Sequence, residues 1–329
     1  MIEYQIKQKD TGPNTFNLSL SPFRIVFMGT PEFAVASLDA LVKAGYSIVA
    51  VVTAPDKPAG RGMKMQQSEV KKYALKHKLN VLQPEKLKDP AFLEELKSLQ
   101  ADLQIVVAFR MLPDVVWNMP PGGTINLHGS LLPQYRGAAP INWAVINGEK
   151  ETGVTTFKLK HEIDTGDILL QESFPIDESE TAGEVHDKMK EIGAQLLVKT
   201  VQGLIEGTLK ETPQVLVLST EYSVLRPAPK IFTANCKIDW TKTTDEIYNL
   251  IRGLSPFPAA FTELGDKIIK IFKSEKEHII PTSKPGRWES DKKTFLKFAG
   301  KDGYILLKDV QLEGKKRMTI EDFLRGYRF

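Results

Sequence analysis

Cysteine is nearly absent from this chain and histidine is scarce. The 329 residues include a single cysteine, Cys236, and five histidines. One cysteine excludes an internal disulfide framework and a cysteine-based zinc site, and it is typical of a reducing compartment. The histidines do not follow the spacing of a metal-binding motif. We therefore expect a cytoplasmic protein whose functional site uses no metal.

A long apolar segment is missing as well. No apolar run approaches the ~20 residues that span a bilayer, and residues 1–23 lack the apolar stretch of a secretory signal. Hydrophobic residues still make up 42% of the chain, which is enough for a substantial core. We expect no membrane partner, and the length predicts two domains.

The net charge is small but unevenly distributed. The formal charge is +3, yet residues 1–230 hold 25 Lys and Arg against 27 Asp and Glu, whereas residues 231–329 hold 19 against 14. A basic C-terminal part is compatible with nucleic-acid binding. A lysine-coated, solvated surface explains the charge about equally well.

Apolar strand candidates alternate with helical patterns in the first part of the chain. Residues 24–28 and 48–53 are short apolar runs with a helical pattern between them, which is typical of a βαβ unit. Residues 103–108 form a continuous apolar run, as in a parallel strand covered on both faces. We predict an α/β, Rossmann-like domain with a mostly parallel sheet over residues 24–211, after an extension at residues 1–23.

The rest of the chain divides into a linker and a second domain. Residues 212–230 contain three prolines and little helical periodicity, which predicts a linker. Beyond them, short strand-like runs separated by turn residues favour a small β-barrel resembling an OB-fold. We assign residues 231–329 to this basic β-barrel domain.

The glycine pattern of dinucleotide-binding folds is also missing. Only Gly29 follows the first predicted strand, and no Gly-x-Gly-x-x-Gly occurs, which argues against a nicotinamide-dependent dehydrogenase. The carboxyl edge of the sheet remains the expected place for a substrate, since open α/β sheets bind ligands there.

An amide, an imidazole and a carboxylate form the candidate catalytic set. Asn126 and His128 lie two residues apart at the end of a predicted strand, so both side chains leave the same face. Asp164 follows in the sequence Asp-Thr-Gly-Asp. An amide can donate to an oxyanion, an imidazole can polarise the same oxygen or move a proton, and a carboxylate can set the charge of that imidazole. The set predicts direct transfer of a group to an external nucleophile, although Asn-x-His alone is more often a polar turn.

The string Asn126-Leu-His-Gly-Ser-Leu-Leu-Pro-Gln-Tyr-Arg-Gly137, together with Asp-Thr-Gly-Asp, resembles the folate-dependent formyltransferases. Within that family it is most similar to the members that formylate methionine on initiator tRNA. The resemblance covers residues 24–329 and is strongest over residues 29–167. It implies that Asn126, His128 and Asp164 are catalytic and that 10-formyltetrahydrofolate is the formyl donor.

The same resemblance implies a folate pocket. Residues 106–113 are similar to the family segment that lines the pterin pocket with backbone groups. The chain has Phe-Arg-Met-Leu-Pro where the family often has Tyr-Gly-x-Ile-Leu-Pro. The residues expected to contact folate are Phe109, Arg110, Met111, Leu112, Ser130, Leu131, Leu132 and Pro133.

A basic loop rich in Gly and Pro, residues 53–64, follows the second predicted strand. It resembles the Pro-Asp-x-Pro-Ala-Gly-Arg-Gly insertion that contacts the tRNA acceptor end in the family. Lys57, Arg61 and Lys64 are therefore expected to bind tRNA, with Arg61 foremost, and a solvated loop without a ligand is the alternative. The implied partner is initiator Met-tRNA, and we expect a monomer.

Two alternatives stay open. The first is a folate-dependent formyltransferase that acts on a UDP-amino-sugar or another small amine. Related sugar enzymes tend to carry Arg where this chain has Ala138, which argues weakly against it. The second is a non-catalytic RNA-binding protein on the same fold. Arg136 also has two interpretations, an anchor for a carboxylate or phosphate and a member of an internal ion pair.

Overall fold

The computed structural model describes residues 22–59, 63–214 and 224–327. Residues 1–21 of the predicted extension lie outside the described residues, and so does the predicted tRNA contact Arg61. The described part contains two sheets of five or more strands and a separate two-stranded hairpin.

The first sheet has seven strands in the order β5-β2-β1-β6-β7-β8-β9. Its first five strands are parallel, and the last two are antiparallel to their neighbours. This arrangement confirms the predicted mostly parallel, Rossmann-like sheet. The strands of this part of the chain are β1 (Arg24–Gly29), β2 (Ser47–Val52), β3 (Lys57–Ala59), β4 (Lys64–Gln66), β5 (Val81–Leu82), β6 (Leu103–Val107), β7 (Thr124–His128), β8 (Glu151–Lys158) and β9 (Ile168–Pro175).

Helices cover both faces of this sheet. In β1, Ile25 and Phe27 join the core beneath one helical layer, whereas Val26 and Met28 join the core beneath the other. Alternate side chains of a strand point to opposite faces of the sheet. When helices cover both faces, every residue of the strand is buried, which explains the continuous apolar run. The helices are α1 (Glu32–Lys43), α2 (Glu69–Lys76), α3 (Pro90–Ser98), α4 (Asp114–Trp117), α5 (Pro140–Ile146) and α6 (Ala182–Glu206).

Helix α6 has well-defined signals at both ends. Thr181 and Glu184 form a reciprocal capping box at its start, and Gly207, with φ of 66°, ends it. Val185, Met189 and Leu197 lie on its buried side. Within the described residues, no helix combines the length and the apolar character that crossing a membrane requires.

The C-terminal sheet is antiparallel, as expected for the predicted β-barrel domain. Its strand order is β10-β11-β14-β13-β12, with β15 also paired to β14. Ile247 and Ile251 pack into its core, and Trp240 stacks on Phe298 with the ring centroids 4.6 Å apart. The elements are α7 (Thr244–Gly253), β10 (Ala260–Leu264), β11 (Lys267–Glu277), β12 (Trp288–Ser290), β13 (Leu296–Ala299), β14 (Tyr304–Leu312), β15 (Met318–Thr319) and α8 (Ile320–Gly326).

A buried arginine joins the two parts of the molecule. Arg252 of α7 donates hydrogen bonds to the backbone oxygens of Asp177 and Glu180, at 3.5 and 3.0 Å. Burial lowers the pKa of its guanidinium, while the nearby acidic groups act in the opposite direction. Asn142 of α5 also donates to the backbone oxygen of Gly253 at 2.7 Å. These bonds fix the C-terminal sheet against the segment that precedes α6.

Candidate active site

Strand β7 brings Asn126 and His128 to one face of the sheet, as the two-residue spacing predicts. Ile125 and Leu127 point to the opposite face, where they enter the core under α1 and α6. His128 is 7% exposed and Asn126 is half-buried. Both residues stand at the carboxyl end of a parallel strand, the edge at which open α/β sheets bind ligands.

The imidazole of His128 is oriented by a backbone carbonyl. Nε2 lies 2.9 Å from the carbonyl oxygen of Tyr135. Because a carbonyl only accepts, Nε2 must carry the hydrogen of this bond. Nδ1 is therefore the nitrogen that can gain or lose a proton, and it lies 3.8 Å from Oδ2 of Asp164. The structure thus brings together the predicted imidazole and carboxylate, which are remote in sequence.

Tyr135 is itself firmly held. Its phenol donates to Oε1 of Glu149 at 2.5 Å and accepts from Nδ2 of Asn147 at 3.1 Å. Burial first, and then the Glu149 carboxylate, raise the pKa of this phenol. The carbonyl that orients His128 therefore belongs to an anchored residue.

Asp164 lies in the tight turn between β8 and β9. It has φ of 54°, and its Oδ2 accepts a hydrogen bond from the backbone N–H of Gly137 at 3.0 Å. A Cβ at Gly166 would lie 1.5 Å from the backbone oxygen of Lys158, so only glycine fits this turn. Asp167 pairs with Lys160 at 2.8 Å and supports the turn from the outside.

The amide of Asn126 has no hydrogen-bond partner in the part of the protein that the structure describes. No residue in ranges 22–59, 63–214 or 224–327 forms a hydrogen bond with its side chain. An amide left half-exposed beside a buried imidazole retains two donor hydrogens for a ligand. This is what the predicted oxyanion donor requires.

Arg136 takes part in an internal network that the sequence did not reveal in full. Its Nε donates to Oε1 of Gln214 at 3.0 Å. Burial lowers the pKa of the guanidinium, and the charges of Asp164 and Glu162 oppose that shift. The internal interpretation of Arg136 thus matches the structure, but the hydrogen-bond partner is an amide. No sequence pattern marks Gln214, because its contacts depend on long-range folding.

The predicted folate residues after β6 lie beside this site. β6 is the parallel neighbour of β7, and Phe109 is half-buried, Met111 exposed and Leu112 buried. Arg110 reaches back and donates to the backbone oxygen of Glu85 at 2.8 Å and to that of Pro84. These bonds tie the segment after β6 to the residues that follow β5.

The predicted folate residues after His128 form a buried turn. Ser130 is fully buried, and its hydroxyl donates to the backbone oxygen of Gln134 at 2.6 Å. The Thr155 hydroxyl donates to the backbone oxygen of Ser130 and accepts from the backbone N–H of Leu132. Leu132 and Pro133 are buried and Leu131 is half-buried. The side chains of this turn mostly support it, so contacts with a ligand would come from its exposed backbone and Leu131.

The predicted basic loop forms a β-hairpin. β3 pairs antiparallel with β4, with Lys57 opposite Gln66 and Ala59 opposite Lys64. This register places Lys57 and Lys64 on the same face, and both are exposed. Asp56, just before β3, is anchored by Lys71 at 2.7 Å and by Gln83 at 2.9 Å. The hairpin therefore has a fixed base and an exposed basic face.

A groove of about 750 Å³ runs between the two parts of the molecule. The start of α6 lines one side and the C-terminal sheet lines the other. Lys273 and Arg317 contribute positive charge, and Phe257 is 81% exposed at its rim. The Arg317 guanidinium also lies over the Phe272 ring, 4.4 Å from its centroid. Glu184 and Asp187 also line the groove, and Arg317 is already paired with Asp309, so the groove combines charges of both signs with aromatic surface.

One group of metal-ligand type occurs among the described residues. Glu32, His186 and Asp187 bring ligand atoms within 4.8 Å of one another. Lys190 pairs with Glu32 at 2.8 Å and with Asp187 at 3.2 Å. The ammonium thus balances the carboxylates in this group, which the sequence could not reveal because its members lie on different helices.

Comparison with known families identifies the class of this fold and site. Residues 23–201 match the family described as Formyl transferase, and residues 230–328 match Formyl transferase, C-terminal domain. The protein is thus an enzyme of the group-transfer class with a Rossmann-like catalytic domain. The chain belongs to the formyl transferase family.

Several relatives cover nearly the whole chain. A methionyl-tRNA formyltransferase of Bacteroides fragilis is 54% identical over 310 residues, which are 92% of this chain and 95% of that protein. One from Azobacteroides pseudotrichonymphae is 56% identical over 320 residues, 94% and 97% of the two chains. One from Phocaeicola vulgatus is 57% identical over 311 residues, 93% and 96% of the two chains.

Solved structures share the fold at lower identity. A sugar 3N-formyl transferase, WlaRD, crystallised with dTDP and 5-N-formyl-THF, has a TM-score of 0.65 at 22% identity and covers 90% of this chain and 100% of its own. An N-formyltransferase from Helicobacter canadensis has a TM-score of 0.64 at 24% identity, with 87% and 99% coverage. At these identities the likeness establishes the fold alone.

The turn that carries Asp164 can be tested at Gly166. We expect Gly166→Ala to lower the free energy of unfolding by about 1–3 kcal/mol, because a Cβ there overlaps the Lys158 oxygen and the turn must shift. Urea denaturation measures the change. Gly326→Ala is the matched control, since its Cβ would meet open space. Equal stability of the two variants would contradict the packing described for this turn.

Proposed function

We propose that this enzyme transfers the formyl group of 10-formyltetrahydrofolate to the α-amine of methionine on initiator tRNA. The observation that carries the proposal is the meeting of the His128 imidazole with the Asp164 carboxylate, beside an Asn126 amide that no described residue engages. The relatives described above, which are named for this activity, support the choice of acceptor. The activity supplies the formylated initiator for translation and implies a cytoplasmic enzyme.

The reaction begins when the unprotonated methionyl amine attacks the formyl carbon. A carbon–nitrogen bond forms, and the carbonyl electron pair moves onto oxygen. The amide of Asn126 and the Nδ1–H of protonated His128 donate to this oxyanion, which they stabilise within a largely buried site. The Asp164 carboxylate, 3.8 Å from Nδ1, stabilises the imidazolium.

The intermediate then loses a proton and expels the carrier. Asp164 accepts the proton of the attacking amine, directly or through a water molecule. The oxyanion electrons re-form the carbonyl, the bond from carbon to N10 of the folate breaks, and N10 takes up the proton that Asp164 accepted from the amine. The products are formyl-methionyl-tRNA and tetrahydrofolate. No step requires a metal ion or an enzyme-bound acyl group.

The folate would bind along the carboxyl edge formed by β6 and β7. The segment Phe109, Arg110, Met111 and Leu112 would line one side, and the turn from Ser130 to Pro133 would line the other. The buried Leu112 and Leu132 give this edge an apolar floor, which suits a pterin ring. The carrier is consumed in each turnover and acts as a co-substrate.

The tRNA would contact two basic surfaces. The face of the β3–β4 hairpin carries Lys57 and Lys64, and Arg61 lies in the chain between the two strands. Lys273 in the groove supplies a second cationic contact, whereas Arg317 beside it is paired with Asp309. Phosphate contacts of this kind position a nucleic acid without reading its sequence. We propose residues 24–211 as the catalytic domain, residues 212–230 as the linker and residues 231–329 as a tRNA-binding domain in a monomeric enzyme.

A UDP-amino-sugar is the alternative acceptor. The sugar formyltransferases resemble this chain at 22–24% identity, which concerns the fold and not the substrate. Ala138 is exposed next to Gly137, and its side chain carries no charge that could bind a nucleotide diphosphate. The basic hairpin has no evident use with a small acceptor. Initiator tRNA is therefore the better-supported acceptor.

The oxyanion role predicts the effect of Asn126→Ala. We expect turnover of Met-tRNA with 10-formyltetrahydrofolate to fall by ~10²–10³, because one donor to the oxyanion is lost. The folded state should be retained, since no described residue depends on this amide. Asn80→Ala is the control, because Asn80 is exposed before β5 at the opposite edge of the sheet. Turnover of Asn126→Ala close to that of the control would refute the role.

The tRNA role of the hairpin predicts a salt-dependent effect of Arg61→Ala. We expect a higher KM for Met-tRNA and an unchanged KM for folate. A lost phosphate contact should also reduce the slope of log affinity against log salt by about 1. Lys97→Ala, exposed in the last turn of α3, is the control. An unchanged slope together with an unchanged KM would exclude Arg61 from the tRNA interface.

A further inference from the structure

Gln214 is 3% exposed, and the steps proposed above do not use it. Its amide nitrogen donates to the backbone oxygens of Asp164 and Gly166, at 2.9 and 2.8 Å. Its Oε1 accepts from Nε of Arg136 at 3.0 Å. We propose that Gln214 is a positioning residue, through which the start of the linker holds the Asp164 carboxylate in place for catalysis.

The turn at Asp164 requires stabilising hydrogen bonds from outside it. With φ of 54°, Asp164 adopts a left-handed conformation that residues other than glycine keep only where their surroundings impose it. The amide of Gln214 ties together the carbonyls on both sides of Thr165, so it closes the turn from within. Arg136 in turn fixes the orientation of this amide, because only its oxygen can accept from the guanidinium.

The C-terminal end of the linker, near Ala228, also supports the Asp164 carboxylate, through the segment that contains Gly137. Ala228 donates to the backbone oxygen of Arg136 at 2.8 Å and accepts from the N–H of Ala138 at 2.7 Å. Gly137, between these two residues, donates to Oδ2 of Asp164 at 3.0 Å. A Cβ on Gly137 would lie 2.5 Å from the oxygen of Ala228, which shows how closely the two segments approach.

Three consecutive residues therefore connect the carboxylate to the linker. Arg136 forms a hydrogen bond with Gln214, at the N-terminal end of the linker. Ala138 forms one with Ala228, near its C-terminal end. Gly137 bonds the carboxylate itself. The linker thus does more than tether two domains, since its described ends set the position of a catalytic group. This inference rests on the proposed role of Asp164.

The first test is Gln214→Met, which keeps the bulk of the side chain and removes its hydrogen bonds. We expect kcat for formyl transfer to fall about 10²-fold, because a misplacement of ~1 Å in a catalytic group can cost that much. The KM values for folate and Met-tRNA should stay within about threefold, since no binding group is removed. Gln202→Met is the matched control, because Gln202 is exposed on α6 and bonds only Glu206 among the described residues.

A double-mutant cycle with Asp164→Asn separates positioning from a general structural effect. If Gln214 acts through the carboxylate, Gln214→Met should slow the wild-type enzyme strongly and the Asp164→Asn enzyme hardly at all. Losses that multiply independently would overturn the proposal. So would an unchanged kcat of Gln214→Met in an enzyme that Asp164→Asn slows.

Amide hydrogen exchange gives a readout that does not depend on turnover. In Gln214→Met, the peptide spanning residues 162–168 should exchange faster than in the wild type, while the strands of the sheet keep their protection. Unchanged exchange in this peptide would refute the positioning role. Wild-type turnover by Asp164→Asn would instead refute the proposed chemistry, and the exchange result would still decide whether Gln214 holds the turn.

Discussion

The active site depends on the placement of one carboxylate beside one buried imidazole. Oδ2 of Asp164 faces Nδ1 of His128 only because Nε2 is already engaged by the Tyr135 carbonyl. With a rotated ring, Nδ1 would face away from the carboxylate. The carbonyl of an anchored residue thus decides which ring nitrogen faces Asp164.

The geometry of this pair draws on segments that are far apart in the chain. β7 supplies the imidazole, the β8–β9 turn supplies the carboxylate, and the residues after Tyr135 supply the N–H that fixes it. The turn tolerates the left-handed Asp164 because Gly166 lets the chain pass close to Lys158 and because Gln214 bonds the carbonyls on either side. Local strain at the site is therefore offset by hydrogen bonds from outside it. Among the described residues, the amide of Asn126 has no hydrogen-bond partner, and Lys57 and Lys64 of the hairpin are exposed, which suits the substrate contacts proposed for them.

Patterns with a short period could be predicted from the sequence, and long-range contacts could not. The apolar runs at β1 and β6 are local signals, and the structure has the mostly parallel sheet that they predict. The two-residue spacing also placed Asn126 and His128 on one face. The β3–β4 hairpin was expected as a loop, because its strands are short and exposed and leave no apolar alternation. Gln214 was missed because nothing next to it in the chain reveals that its amide meets Asp164, 50 positions earlier.

The identity of the acceptor can be tested by comparing three amines. Formyl transfer from 10-formyltetrahydrofolate would be measured with Met-charged initiator tRNA, Met-charged elongator tRNA and a UDP-amino-sugar under the same conditions. We expect rapid formylation of the initiator tRNA and little reaction with the other two. Formylation of the sugar alone would contradict the proposed acceptor. The chemistry proposed for His128 and Asp164 would remain possible, but the basic hairpin and the groove would need a different partner.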